Sequence, residues 1–165
     1  MLYAKPKMPI KLLAGLLAIA SILPAAELST RKILNLATIK TMVAAAEAET
    51  QKRGVQVTIC IVDDSGNLLF LEKEDGASFN TVLFAQKKAR HSAFFKAPSK
   101  VAADSLKNGN TVILVQPNAF PNQGGLPIKA DGQILGGIGV SGAASEVDEA
   151  IGQAALDAAF GKATP

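Results

Sequence analysis

The chain has 165 residues, a length that suits one domain with a substantial core and leaves little room for two. Seventeen lysine and arginine residues and fourteen acidic residues give a formal net charge of +3, but three of the basic residues and none of the acidic ones lie in residues 1–26. Residues 27–165 therefore carry fourteen charges of each sign, which argues against a nucleic-acid-binding protein. A single cysteine, Cys60, excludes a disulfide within the chain.

Residues 1–26 have the composition of a secretory signal peptide. Lys5, Lys7 and Lys11 precede an apolar run, Leu12 to Leu23, that is short for a membrane span. Small residues follow and predict cleavage after Ala26; the alternative is an uncleaved anchor or a buried N-terminal helix. We therefore expect a signal peptide at 1–26, a single domain at 27–165 in the periplasm or outside the cell, and no stable membrane insertion after signal removal.

Apolar periodicity and turn residues predict an α+β fold. Helices are predicted at Leu28–Arg53, Ser78–Lys96, Ser99–Leu106 and Ser145–Phe160. Strands are predicted at Val55–Val62, Leu68–Glu72, Thr111–Gln116, Leu126–Ala130 and Gln133–Val140. Because hairpin turns make paired strands antiparallel, we expect one five-stranded antiparallel sheet covered by helices.

The last two strands lie in a glycine-rich stretch, Gly124 to Gly142, which holds seven of the fourteen glycines. The turn Asp131-Gly132 predicts a tight hairpin. In its second strand, Ile134, Gly136, Ile138 and Val140 alternate with Leu135, Gly137 and Gly139, so that one face is mostly bare backbone. A helix, another subunit or a flat ligand is expected to pack closely there.

Gly137, Gly139 and Gly142 also fit the dinucleotide-binding pattern G-x-G-x-x-G between a strand and a helix. That site needs a second parallel strand after the helix, and the sequence ends at Pro165 without one. Close packing of a helix on the strand is the preferred interpretation of these glycines.

Two further motifs suggest chemistry that the sequence does not favour. They are a calcium loop in the turn at 63–67, Asp-Asp-Ser-Gly-Asn, and a nucleophile at Cys60 before it. Ser65 and Leu68 stand where a calcium loop needs an acid or amide and a glycine, so the acidic residues are better explained as turn formers. Cys60 lies inside a predicted strand, which favours a small buried hydrophobic residue over a nucleophile paired with His91.

The second predicted helix has two contrasting faces. A stripe of small residues, Val82, Ala85, Ala89 and Ala93, is expected to lie on the sheet. The opposite arc gathers larger and polar side chains, namely Phe84, Lys87, Lys88, His91 and Phe95. His91 is the only histidine, so a site with two histidines needs two subunits. The arc is either a ligand site or a solvated helix face.

Three stretches carry a resemblance to a known family: Gly124 to Gly142 with its acidic, alanine-rich helix, Val62 to Ala77, and Lys87 to Ser99. Together they resemble the haem-binding GlcG/HbpS family, which also includes the C-terminal domain of PduO-type proteins, over about Leu28 to Phe160. The resemblance implies a profilin-like sandwich, homo-oligomers and haem binding. Haem breakdown is also named for the family, but no acid, base or electron-donor site in this sequence argues for an enzyme.

The resemblance gives the arc on the second helix a specific interpretation. His91 becomes the candidate iron ligand, Lys87, Lys88 and Arg90 become partners for the haem propionates, and Phe84, Phe94 and Phe95 become apolar walls. Pro98-Ser99 stands where the family often has Pro-Thr, with a threonine implicated in haem contact. Ser99 is therefore either a weak oxygen ligand or the cap of a short helix.

The sequence thus predicts an exported protein that captures, transports or senses haem or a related tetrapyrrole. One alternative is a corrinoid-binding accessory domain, as in the PduO branch. The other is an interaction module without a ligand that associates with a sensor or an enzyme.

Overall fold

The computed structural model describes Ala4 and residues 27–161. Apart from Ala4, the predicted signal peptide lies outside the described residues. All the helices and strands belong to the unit that begins at Lys32. In chain order they are α1 (Leu36–Arg53), β1 (Thr58–Asp63), β2 (Leu68–Lys73), α2 (Thr81–Phe95), α3 (Ser99–Lys107), a 3-10 helix (Thr111–Val115), β3 (Gly125–Ala130), β4 (Gln133–Ser141) and α4 (Ser145–Phe160).

The described strands form one antiparallel sheet in the order β2-β1-β4-β3. The α+β class is confirmed, but the sheet has four strands and the predicted five is wrong. The residues Thr111–Val115, predicted as a strand, form a 3-10 helix that contacts α3 and has no buried residue. Branched residues favour a strand only when a neighbouring strand is available to pair with, and this segment pairs with none of the described strands.

The first helix begins eight residues later than predicted. Its true N-cap is Asn35, whose side-chain oxygen accepts a hydrogen bond from the Thr38 N–H at 2.8 Å. The C-terminal end is as predicted, because Gly54 adopts a left-handed conformation with φ of 65°.

Helices cover both faces of the sheet. On one face α1 and α4 enclose the larger core, built from aliphatic residues such as Met42, Ile59, Ile61, Ile138, Val140 and Ile151. On the other face α2 places Ala85, Ala89 and Ala93 against Cys60 and Val62. The small side chains bring the backbone of α2 close to the sheet.

The glycine-rich strand β4 accommodates this close approach. A Cβ added at Gly137 would collide with the carbonyl oxygen of Ala89, and one added at Gly139 with that of Ala85. A helix is therefore what packs on the bare face. A bulge in β4 opposite Ile128 and Lys129 shifts the alternation, so that Leu135 rather than Ile134 joins the core.

Candidate functional site

One side of α2 meets the loop that leads into β3, through Phe84, Lys87 and His91, and most of the predicted site residues lie there. The arc is not a uniformly solvated face of α2, because Lys88 and His91 are each only 2% exposed. Lys87 is exposed and Arg90 is half-buried. The arc therefore separates into buried residues, which contact other parts of the chain, and accessible ones.

Lys87 and Arg90 line a cleft of about 290 Å³ together with Asn118, Ala119 and Phe120. The ring of Phe120 packs on that of Phe84 with centroids 5.5 Å apart, and the Lys87 ammonium lies 5.4 Å from the Phe120 ring centroid. This α2 cleft thus combines two cationic side chains with an aromatic wall. Such an arrangement can bind an anionic ligand that also has an apolar, planar part.

Arg90 is held in place by the turn between β1 and β2. Its Nε donates a hydrogen bond to the Gly66 carbonyl oxygen at 3.1 Å, and this is its one hydrogen bond to the described residues. The terminal nitrogens of the guanidinium thus remain available to an anion. Phe94, predicted as a haem wall, contacts the same turn and is half exposed.

His91 lies beneath the loop that forms one wall of the α2 cleft. Its Nδ1 accepts a hydrogen bond from the Phe120 N–H at 3.0 Å, and its ring stacks on Phe95 with centroids 4.5 Å apart. Burial lowers the pKa of His91, although a hydrogen bond with the Asn118 backbone opposes this. His91 and Phe95 therefore lie next to the α2 cleft, but the contacts of their rings are with other residues of the chain.

Lys88 extends away from the α2 cleft and forms a buried ion pair with α4. Its Nζ lies 2.8 Å from Asp148 Oδ2 and 2.9 Å from the Val140 carbonyl oxygen. Asp148 Oδ1 accepts the Ala143 N–H at 2.9 Å. Burial raises the pKa of Asp148, while Lys88 and the nearby N–H groups oppose that rise. Gly124 leaves the space for this pair, because a Cβ there would lie 2.8 Å from Lys88 Nζ.

Ser99 is also enclosed by the chain. Its hydroxyl donates to the Asn122 carbonyl oxygen at 2.7 Å and accepts from the Gly125 N–H at 2.8 Å, and the residue is fully buried. Ser99 is the first residue of α3 rather than its cap, which is Pro98. Its hydroxyl fastens the loop before β3 to the start of α3.

The remaining sequence motifs have structural explanations in the described residues. Burial raises the pKa of Cys60 to about 12, so its thiol is neither a nucleophile nor a metal ligand at neutral pH. Asp63 accepts hydrogen bonds from the N–H groups of Ser65 and Asn67 and thereby forms a turn. Within the part of the chain that is described, no three His, Cys, Asp or Glu side chains cluster as metal ligands would.

A second cleft, of about 280 Å³, lies between β3 and the C-terminal half of α4. Its walls are mainly apolar, including Leu126, Leu156 and Phe160, with Lys129 and Gln153 as the polar groups. None of the residues predicted to contact haem lines this second cleft. Of those residues, the structure places Lys87 and Arg90 on the α2 cleft and His91 and Phe95 beside it, while Lys88 and Ser99 point elsewhere.

Sequence reasoning missed two contributions to this region. The loop residues Asn118 to Phe120 form the wall opposite α2, and the unusual aromatic in a Pro-rich loop was the available signal. Asp148 pairs with Lys88 across sixty residues, and nothing in its local sequence distinguishes it from the other acids at the start of α4.

The fold and the α2 cleft define an α+β domain with a cationic, aromatic-walled cleft beside a central helix. Residues 34–157 match the family described as haem degrading protein HbpS-like. The chain belongs to this family. The resemblance to the GlcG/HbpS family that was found in the sequence is thereby confirmed.

Relatives of known sequence and structure agree with this assignment. Protein GlcG of Escherichia coli K12 is 33% identical over 114 residues, which cover 69% of this chain and 85% of GlcG. A crystal structure of a PduOC haem complex superimposes with a TM-score of 0.72 at 26% identity, covering 77% of this chain and 95% of that one. For an HbpS double mutant from Streptomyces reticuli, the TM-score is 0.72 at 30% identity, with 80% and 92% coverage.

None of the helices in the described residues is long and apolar enough to cross a membrane.

Proposed function

We propose that this protein binds haem in the α2 cleft and serves in the capture, transport or sensing of haem outside the cytoplasm. The observation that carries the proposal is the pairing of Lys87 and Arg90 beside the Phe120 ring, in a chain that shares its fold with a haem complex. The two cations suit the two propionates of haem, and the aromatic wall suits the face or edge of the macrocycle.

The size of the α2 cleft indicates that one subunit supplies only part of the site. Pockets that enclose a small organic ligand measure about 300–1,000 Å³, and the α2 cleft, at about 290 Å³, lies at the lower limit. Haem is a large ligand on this scale. A complete site therefore needs either a movement of the loop at 117–123 or a surface from another subunit.

Homo-oligomer formation is part of the proposal, and the 3-10 helix Thr111–Val115 is the surface that favours it. Val112, Leu114 and Val115 are 62%, 58% and 82% exposed. Adjacent apolar side chains with this exposure mark an interaction surface. A second copy of the chain is the proposed occupant, and a sensor or an enzyme is the alternative partner.

Export and the site of action follow from the predicted signal peptide at residues 1–26. Haem that is captured after export must be bound reversibly if it is to be passed on. The absence of an open, strong iron ligand on the walls of the α2 cleft, as far as the structure describes them, supports exchangeable binding, because the propionates and the apolar face then supply most of the affinity.

The test is a titration of residues 27–165 with hemin, followed by the Soret absorbance and compared with a protein that does not bind haem. We expect a saturable shift at a fixed ratio of hemin to subunit. A parallel titration with cobalamin, alone and in competition with hemin, distinguishes the corrinoid alternative. A curve equal to that of the control protein for both ligands contradicts tetrapyrrole binding and favours the interaction module.

A further inference from the structure

His91 has hydrogen bonds with the loop at Phe120 and at the Asn118 backbone, and the bond from Phe120 identifies the ring nitrogen that carries no proton. Nδ1 accepts the Phe120 N–H at 3.0 Å, so the lone pair of the imidazole is at Nδ1 and the proton of the neutral ring is at Nε2. Burial favours this neutral form. An iron ligand needs a free lone pair on nitrogen, and the one lone pair of this tautomer already points at Phe120.

The loop that His91 holds needs an anchor. Asn118 has a left-handed backbone with φ of 63°, which is uncommon outside glycine. Ala119 and Phe120 follow it and form the wall of the α2 cleft. Ser99 fastens the other end of the same loop through Asn122. Phe120 also contacts Phe84 and Lys87 of α2, through its ring, whereas its backbone is attached to α2 by the bond to His91.

We infer that His91 is a positioning residue of the α2 cleft and not the iron ligand. Its Nδ1 fixes the Phe120 backbone, which sets the distance between the aromatic wall and the cations Lys87 and Arg90. Phe95 stacks on the imidazole and holds the ring in the orientation that this bond requires. The part of the inference that concerns haem rests on the proposed function. The attachment of the loop to His91 does not depend on that function.

The chain allows a substitution that separates the two roles. In asparagine, the side-chain oxygen is attached to Cγ, as Nδ1 is in histidine, so His91→Asn retains an acceptor for the Phe120 N–H. It has no counterpart of Nε2 and offers iron no imidazole nitrogen. His91→Ala removes both functions. Ser92→Ala is the matched control, because Ser92 is the neighbouring buried residue on α2 and its hydroxyl has no hydrogen-bond partner among the described residues.

The first readout needs no haem: hydrogen exchange at the Phe120 amide, followed by NMR in each folded variant. We expect protection in the wild type, His91→Asn and Ser92→Ala, and a loss of about two- to tenfold in His91→Ala, the factor that corresponds to one hydrogen bond. Equal protection in all four proteins overturns the inference. Since His91→Ala leaves a cavity, the imidazole tautomer of the wild type is also measured, and a proton on Nδ1 overturns the inference as well.

The second readout is the hemin titration. A positioning role predicts that His91→Asn keeps the wild-type Soret maximum and binds hemin within about twofold of wild type, whereas His91→Ala binds about two- to tenfold more weakly. A shifted Soret maximum and weakened binding in both variants identify His91 as the ligand and overturn the inference. If the wild type does not bind hemin while the exchange pattern is as expected, the proposed function fails and the role of His91 stands.

Discussion

The buried ion pair between Lys88 and Asp148 gives the most specific prediction about stability. Replacing Lys88 by methionine keeps the aliphatic stem but removes the ammonium, which leaves Asp148 uncompensated at 2% exposure. Removing one partner of a buried pair costs about 3–5 kcal/mol, a large part of the roughly 5–15 kcal/mol that stabilises a typical domain. We therefore expect Lys88→Met to lower the midpoint of urea unfolding strongly.

The control is Lys100→Met, which removes an exposed ion pair with Asp104 on α3 and is expected to change the midpoint little. A second comparison is the double variant Lys88→Met/Asp148→Leu. It is expected to recover most of the loss, because no charge then remains buried. Circular dichroism at 25 °C follows unfolding in each protein. If Lys88→Met is no more destabilising than Lys100→Met, the reasoning about this pair is refuted.

The cost of Lys88→Met is also expected to depend on pH. Burial already raises the pKa of Asp148, and loss of the lysine raises it further. The ordinary pKa of an aspartate, as in the unfolded chain, is about 3.9. Because the pKa of Asp148 is higher in the folded state, the free energy of unfolding falls as the pH rises above that value. The deficit of Lys88→Met relative to wild type should therefore shrink as the pH falls toward 4.

Other parts of the molecule give further predictions. Gly139→Ala is expected to destabilise the fold by about 1–3 kcal/mol through a clash with the backbone of α2. Gly152 of α4 is buried, but a Cβ there would make ordinary contacts of 3.4–3.9 Å with core side chains, so Gly152→Ala should stabilise the fold by about 0.5–1 kcal/mol in the same unfolding assay. Because the pKa of His91 is lowered, unfolding free energy should fall as the pH drops through about 6.5, and His91→Asn should lack this loss. Cys60 should react with a thiol reagent at pH 8 only after unfolding. Val115→Lys should reduce the oligomer mass measured by light scattering; a monomeric wild type contradicts the proposed assembly.

Local signals predicted most of the fold. The turn Asp131-Gly132 adopts the positive φ angles that a tight hairpin requires, and Gly54 ends α1 as a left-handed cap. The stripe of alanines on α2 and the glycines of β4 both predicted close packing, and the structure shows that they face each other. Such features depend on neighbours in the sequence, so they can be inferred from it.

The failures concern interactions between distant parts of the chain. Thr111–Val115 has the composition of a strand, but whether it pairs depends on an available sheet edge, which composition does not reveal. The sequence grouped Lys88 and His91 with Lys87 on one arc of α2, but it did not indicate that Asp148 and the Phe120 backbone lie close enough to bury them. Periodicity indicates a face of a helix, and it does not indicate what other segments cover that face.

The most direct test of the account is whether haem binding depends on the two cations of the α2 cleft. Hemin affinity is measured for the wild type, for Lys87→Ser/Arg90→Ser, and for Lys40→Ser/Lys129→Ser, which removes the same charge from two exposed lysines elsewhere. The account predicts markedly weaker binding in the first variant and near wild-type binding in the second. Because Lys129 lines the second cleft, weakening in the second variant alone, or equally in both, contradicts the placement of haem beside α2.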